Sequence, residues 1–220
     1  MDDDYTGHAE PGGPALSRTV TLASGRQVRV RKLSVGPMDN NAYLLVDPAE
    51  GRALLIDAAA EPARLREQLR GLELVGVLTT HGHRDHWQAL DAVADATGAP
   101  TWLHPGDRDL VPRVADQDAA DGARVTFGEA DVRLVHTPGH TPGSVCALLG
   151  ETHLFTGDTL FPGGPGNTFG DPDAFRTIMR SLRDRLFTLP DGTWVYPGHG
   201  DDTTLGRERP HLGEWEARGW

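Results

Sequence analysis

The chain has 220 residues and a mass of 23.7 kDa, and is 38% hydrophobic and 24% charged, an ordinary composition for one globular domain. Its 21 Lys+Arg against 32 Asp+Glu give a formal net charge of −11, which excludes a protein that grips nucleic-acid phosphates and a basic helix lying on a membrane. The single cysteine, Cys146, excludes an internal disulfide framework and a thiolate metal cluster, so the 10 histidines are what composition leaves to be explained.

Residues 1–18 read as a loose, acidic N-terminal arm containing Gly12-Gly13-Pro14, and 19–220 as a single domain. Residues 28–31 alternate valine and arginine as a half-buried strand does. The single lysine, Lys32, among otherwise arginine cations reads as codon bias rather than chemistry. The apolar runs 42–46 and 53–56, parted by Asp47-Pro48-Ala49-Glu50-Gly51, read as a hairpin of buried strands. Residues 61–70 predict a helix with Pro62 in its first turn, 74–78 a buried strand, and 86–97 a helix stopped by Gly98. Further strands are predicted at 101–103, 125–127, 132–135, 145–149 and 152–156. Residues 171–186 carry the best helical pattern, capped by Asp171 or Asp173, with Phe175, Ile178, Met179 and Leu182 on one face. A last strand at 193–196 and a closing helix at 210–218 complete a mixed α/β pattern. The longest apolar runs have five residues, against the roughly 18 that a membrane span needs. The first fourteen residues lack a signal peptide's basic start and apolar middle, so a soluble cytoplasmic protein is expected.

Chemistry concentrates after the strand 74–78, in Thr79-Thr80-His81-Gly82-His83-Arg84-Asp85-His86. In extended chain, residues two apart point the same way, so His81 and His83 face one point; Asp85 and His86 follow where the chain turns. Imidazole and carboxylate together suit zinc, iron or manganese. Asp85 also has a plainer reading, as the cap of the next helix. More histidines and carboxylates stand at strand ends: His136 to Ser144, a Pro/Gly-fixed turn containing His140, then Gly157-Asp158-Thr159, then Tyr196-Pro197-Gly198-His199-Gly200. Ligands that all follow strands imply a site along one edge of the sheets. His8, His104, His136, His153 and His211 are read as solvated, packing or structural groups, Cys146 as core, and 163–166 as a rim loop.

The ordered set Asp57, His81-x-His83-x-Asp85-His86, His140, Asp158 and His199 resembles the metallo-β-lactamase fold superfamily. Within it the chain is similar to the glyoxalase II-like (hydroxyacylglutathione hydrolase-like) branch, through Asp39-Asn40-Asn41-Ala42-Tyr43, His136 to Ser144, Gly157 to Phe161 and Tyr196 to Gly200. The resemblance implies an α/β (α+β) αββα sandwich of two mixed β-sheets flanked by helices. It implies two divalent cations, Zn first with Fe or Mn as alternatives. His81, His83 and His140 would bind one and Asp85, His86 and His199 the other, with Asp158 bridging; Asp85 and Asp158 would be the catalytic carboxylates. Asp57 would brace the His loop by hydrogen bonds, although Ala58 stands where a Gly usually follows. Arg84 and Asn167 are candidate substrate contacts.

The implied activity is a thioesterase cleaving a 2-hydroxyacyl thiol conjugate such as S-lactoylglutathione by a metal-bound hydroxide. A persulfide dioxygenase with a single iron shares the ligand set, but Gly166-Asn167-Thr168-Phe169 lacks that branch's Arg-Thr-Asp run. A metallo-hydrolase of the same fold acting on another ester, lactone or phosphodiester is a further alternative. The 33–41 turn leaves little room for a β-lactamase's substrate-covering flap, and the acidic charge opposes a nucleic-acid substrate. The expected partner is a small-molecule thioester, without nucleic acid or membrane; the oligomeric state is left open.

Overall fold

The computed structural model describes residues 5–219. In chain order its elements are β1 (Leu16–Thr21), β2 (Gln27–Val35), β3 (Asn40–Asp47), β4 (Arg52–Ile56), α1 (Pro62–Gln68), β5 (Glu73–Leu78), α2 (Leu90–Thr97), β6 (Thr101–Leu103) and β7 (Gln117–Asp118). There follow β8 (Arg124–Phe127), β9 (Ala130–His136), β10 (Val145–Leu149), β11 (His153–Gly157), β12 (Leu160–Phe161), β13 (Gly164–Pro165), α3 (Pro172–Ser181), β14 (Trp194–Pro197), β15 (Thr203–Thr204), α4 (Leu205–Glu208) and α5 (Leu212–Arg218). Strands β1 to β7 form one sheet in sequence order; a second runs β15-β14-β11-β10-β9-β8, and β12-β13 is a separate ribbon.

The sequence dictates the layering through which faces are apolar. Strand β3 is buried along its whole length, as a strand covered on both faces must be. Tyr43 and Leu45 point between the sheets, where they meet Val132, Leu134, Phe155 and Tyr196 of the second sheet. Leu44 and Val46 point outward, into a cluster with Leu65 of α1 and Leu90 and Val93 of α2. The outer face of the second sheet gives Val135, Cys146, Leu148 and Val195 to a third cluster with Ile178, Met179 and Leu182. The result is an αββα sandwich, the expected architecture. The β4–β5 and β11–β14 pairs are parallel, which requires the crossovers through α1 and α3.

Several expectations shift. The 42–46/53–56 hairpin forms as β3–β4, antiparallel with Tyr43 opposite Ile56. The 86–97 helix is split: Arg84–His86 is a 3₁₀ turn and α2 begins only at Leu90. The 171–186 helix passes into a π-helical stretch at Leu182–Leu186, and Asp171 caps it, its Oδ1 accepting from the amides of Asp173 and Ala174.

The N-terminal segment carries contacts that its composition does not indicate. Its residues 1–4 lie outside the described residues, but the rest is tied down. Leu16–Thr21 pairs antiparallel with β2, Ala9 is 2% exposed, and the Tyr5 hydroxyl donates to Asp202 Oδ2 at 2.7 Å. Polar and Gly/Pro-rich composition concealed the Tyr5 tie because its partner lies far along the chain (|i−j| = 197 for Tyr5 and Asp202). Among the described residues no helix is long and apolar enough to cross a membrane.

Candidate metal centre

The expected ligands converge at one edge of the two sheets. His81, His83, Asp85 and His86 lie on the segment leaving β5, His140 on the turn between β9 and β10, Asp158 just after β11, and His199 just after β14. Three sets of side chains bring candidate ligand atoms within 4.8 Å of one another: His81, His83 and His140; His81, His86 and Asp158; Asp85, His86 and His199. His83 Nδ1 faces His140 Nε2 at 2.8 Å and His86 Nε2 faces His199 Nε2 at 3.2 Å. Asp158 reaches both groups, with Oδ1 3.3 Å from His86 Nε2 and Oδ2 3.4 Å from His140 Nε2.

The outer nitrogens show why the inner ones are available. His86 Nδ1 lies 2.8 Å from Asp57 Oδ2, His140 Nδ1 2.7 Å from the Asn167 carbonyl, and His199 Nδ1 2.8 Å from the Met38 carbonyl. Each such acceptor fixes the ring with its proton on Nδ1 and its Nε2 lone pair turned inward. His81 Nδ1 is 3.1 Å from the Thr80 hydroxyl, which itself donates to Asp57 at 2.8 Å. That leaves His81 Nε2 buried without a hydrogen-bond partner, as is Asp158 Oδ1. Buried polar atoms are rarely left so, and inward lone pairs beside carboxylates fit divalent cations.

Electrostatics divides the cluster. Burial holds His81 well below the usual imidazole range, and holds His140 below it despite the Asp158 carboxylate. Burial also acts against His86 and His199, but there the carboxylates win. Asp158 and Asp57 lift His86 well above its ordinary value, and Asp158 and Asp85 push His199 up to about 10. The His199 hydrogen bond holds Asp85 below the carboxylate range, and Asp158 is lowered in spite of its burial, by His86 and His199.

Asp57 sits where a bracing carboxylate is needed. It is 1% exposed, accepts from the Thr80 amide at 2.7 Å, and holds His86. Arg84 is exposed and makes no ion pair among the described residues. Asn167 is also exposed, but it is committed locally: its carbonyl takes the His140 bond and its side chain accepts from the Phe169 amide. His104 and His136 stack on each other at 4.0 Å, separate from the three ligand sets. The expected rim loop at 163–166 is partly the β12–β13 ribbon, and its Gly166 passes so close to the Asp158 carbonyl that a Cβ would lie 1.8 Å from it.

Sequence reading missed three supporting residues. Asp107 is fully buried; it accepts from the Gly82 amide at 2.7 Å, the Gly143 amide at 2.6 Å and the Thr141 hydroxyl at 2.6 Å. It therefore joins the His81–His83 loop to the His140 turn. Nothing in Pro105-Gly106-Asp107-Arg108-Asp109-Leu110 marks it, since the segment reads as a solvated turn. Asn40 donates to Asp85 Oδ2 at 2.9 Å, and its signal was the Asp39-Asn40-Asn41 phrase. Lys32, set aside as codon bias, is fully buried and bonded. Beside His140 a cavity of about 580 Å³ is walled by Pro138, Pro142, Thr168, Phe169 and Ala174.

A sandwich of this architecture with a His/Asp cluster at its edge defines a protein of the metallo-hydrolase fold with a candidate metal site. Residues 35–199 match the Metallo-beta-lactamase superfamily, and the chain belongs to that family. It is 37% identical over 205 residues to an uncharacterized protein of Mycobacterium leprae, covering 79% of this chain and 92% of the relative. It is also similar to a mitochondrial persulfide dioxygenase of Mus musculus (33% identity; 80% of this chain, 70% of that one). A hydroxyacylglutathione hydrolase of Rhodospirillum rubrum is 35% identical over 73% of this chain and 62% of the enzyme. Among solved structures, a B3 metallo-beta-lactamase superposes with TM-score 0.76 at 30% identity, over 83% of this chain and 97% of that one. A protein crystallised in a di-iron-bound form gives TM-score 0.70 at 34% identity, over 81% and 96%.

Proposed function

We propose that this chain is a metal-dependent thioester hydrolase of the cytoplasm, cleaving a small 2-hydroxyacyl thiol conjugate with two divalent cations, zinc foremost. His81, His83 and His140 would hold one cation, Asp85, His86 and His199 the other, and Asp158 both. The observation that carries the reading is the placement of Asp158, whose two oxygens lie 3.3 and 3.4 Å from ring nitrogens of opposite groups. When bound, the cations supply Lewis acidity at the scissile carbonyl and make water reactive near neutral pH.

The protein's own groups account for the rest. Asn40 donates to Asp85 Oδ2 and so orients this carboxylate beside His199, where with Asp158 it would serve as a catalytic carboxylate. The outer hydrogen bonds keep the rings from turning, so little reorganisation is needed during reaction. The cavity beside His140 gives room for the organic part of the substrate, and Arg84 and Asn167 stand beside ligand histidines as candidate contacts. A thiolate leaves without prior protonation, and no protein nucleophile is required. Cys146 is fully buried, with burial pushing its thiol up to about 11, so it is core. The reading involves no nucleic-acid or membrane partner.

Metal analysis of the purified protein alongside an S-lactoylglutathione hydrolysis assay tests it. Two cations per chain with thioester turnover is the expected result. Similarity to the persulfide dioxygenase supports a second reading with one iron. Oxygen uptake with glutathione persulfide, without thioester turnover, would establish that reading and overturn the first.

A further inference from the structure

Lys32 is the only lysine in the chain and is 0% exposed. A buried ammonium is costly unless each of its donors is satisfied. Here the three donors meet three acceptors: the Gly7 carbonyl at 2.7 Å, the Gly200 carbonyl at 2.6 Å and Asp202 Oδ1 at 2.7 Å. Asp202 is equally committed, since Oδ2 accepts from the Tyr5 hydroxyl at 2.7 Å and from Trp194 Nε1 at 3.1 Å. Its amide returns a hydrogen bond to the Gly7 carbonyl at 3.1 Å. The ion pair thus clamps the N-terminal segment onto the chain that follows β14.

That chain carries His199. Gly200, the next residue, has φ +61, and its amide donates to the Asp39 carbonyl at 3.2 Å. Its carbonyl accepts from Lys32 and also from Asn41 Nδ2 at 2.9 Å, while the same Asn41 group donates to the Pro197 carbonyl at 3.0 Å. The Tyr43 hydroxyl adds a second tie to the Pro197 carbonyl at 2.7 Å. The 197–200 loop is therefore hung from side chains of β2 and β3, and Lys32 is the one charged donor among these ties.

We infer that Lys32, paired with Asp202, is a positioning residue for His199: by fixing the Gly200 carbonyl it sets His199 Nε2 against His86 and Asp85 and so governs cation affinity in that half of the centre. The inference rests on the two-cation reading above. A purely structural ion pair is replaceable by an apolar pair of like volume with little loss. A pair that aims a ligand loop is not, because the Gly200 carbonyl then keeps only its Asn41 donor and loses the charged one.

The test is Zn²⁺ alone, titrated into metal-stripped full-length protein against a chromophoric chelator, with the visible spectrum of the Co²⁺-loaded form as a second readout. Wild type should bind two Zn²⁺. In Lys32→Met one Zn²⁺ should bind within about twofold of wild type, and the other about 10–100-fold more weakly, as when a ligand's supporting partner is lost. The double variant Lys32→Met/Asp202→Leu should recover thermal stability yet keep the weakened site and the altered Co²⁺ spectrum. One Zn²⁺ per wild-type chain would refute the two-cation reading and this inference with it. Two Zn²⁺ in wild type with both affinities unchanged in Lys32→Met would refute the inference alone. So would recovery of the weak site together with stability in the double variant, or loss of the fold in both variants by circular dichroism, since either makes the pair a folding element only.

Discussion

The two halves of the candidate metal centre are built by different means. The His81/His83/His140 group is all imidazole, and burial holds His81 and His140 in the neutral form that binds cations. Its two loops are locked to each other through the single carboxylate of Asp107. The Asp85/His86/His199 group contains its own carboxylate, and its histidines hold protons more tightly, so a cation entering there must displace them. Its supports are spread over Asp57, Asn40, the Met38 carbonyl and the Lys32 clamp. One half depends on low dielectric and a single hub, the other on charge compensation and many distant ties. Asp158, which touches both, is the point where they become one site.

The strongest way to break this comparison is at Asp158. Asp158→Ala should lower metal content and reduce thioester hydrolysis by more than about 100-fold, because both halves lose a carboxylate at once. Full activity with normal metal content would mean the halves do not share it. Asp107→Asn should separate them: affinity at the His81/His83/His140 position should fall about 10–100-fold, with the other position held near wild type in the same Zn²⁺ competition. Equal weakening of both positions would remove Asp107 as the hub of one half.

Ile178 sharpens the boundary between packing and ligation. It is fully buried in α3, and its backbone packs so closely on Gly139 that a Cβ there would lie 2.4 Å from the Ile178 amide nitrogen. Ile178→Thr should cost about 2 kcal/mol in urea unfolding while the ligand set stays complete by metal analysis. The smallest expected effect concerns His153, whose ring lies 3.0 Å from the Tyr196 hydroxyl beneath the strand leading to His199. Burial lowers its pKa from 6.5 to about 4. The folded state therefore favours the neutral ring, and this contribution is present above pH 6.5 and lost as pH falls toward 4. His153→Gln should lose about 1 kcal/mol less than wild type between pH 7 and pH 5, the ring being partly exposed. Identical acid sensitivity of the two proteins would show that His153 does not contribute.

What was legible in the sequence was what local pattern can encode. The buried strands appear as apolar runs, α3 as an amphipathic face with Asp171 before it, and the ligand segments as His/Asp/Gly phrases at strand ends. The order of those phrases also carried the family resemblance. The supports were not legible, because their meaning lies in partners far along the chain. Asp107 stands in a segment without a ligand phrase, and its role exists only where the 81–86 and 137–144 loops close around it. The N-terminal segment reads as loose because composition records polarity and not the distant Asp202 that Tyr5 bonds or the strand that residues 16–21 pair with. Lys32 looked incidental because a lone cation has no local signature.

The amino-acid sequence by itself determined the class of fold and pointed to the side chains that meet in the candidate metal site, since periodicity and ligand chemistry are properties of neighbouring residues. Only the tertiary structure decided which imidazole nitrogens face inward, which carboxylate joins the two groups and which buried charges hold the loops. Those depend on burial and on hydrogen bonds between segments that meet only when the two sheets pack.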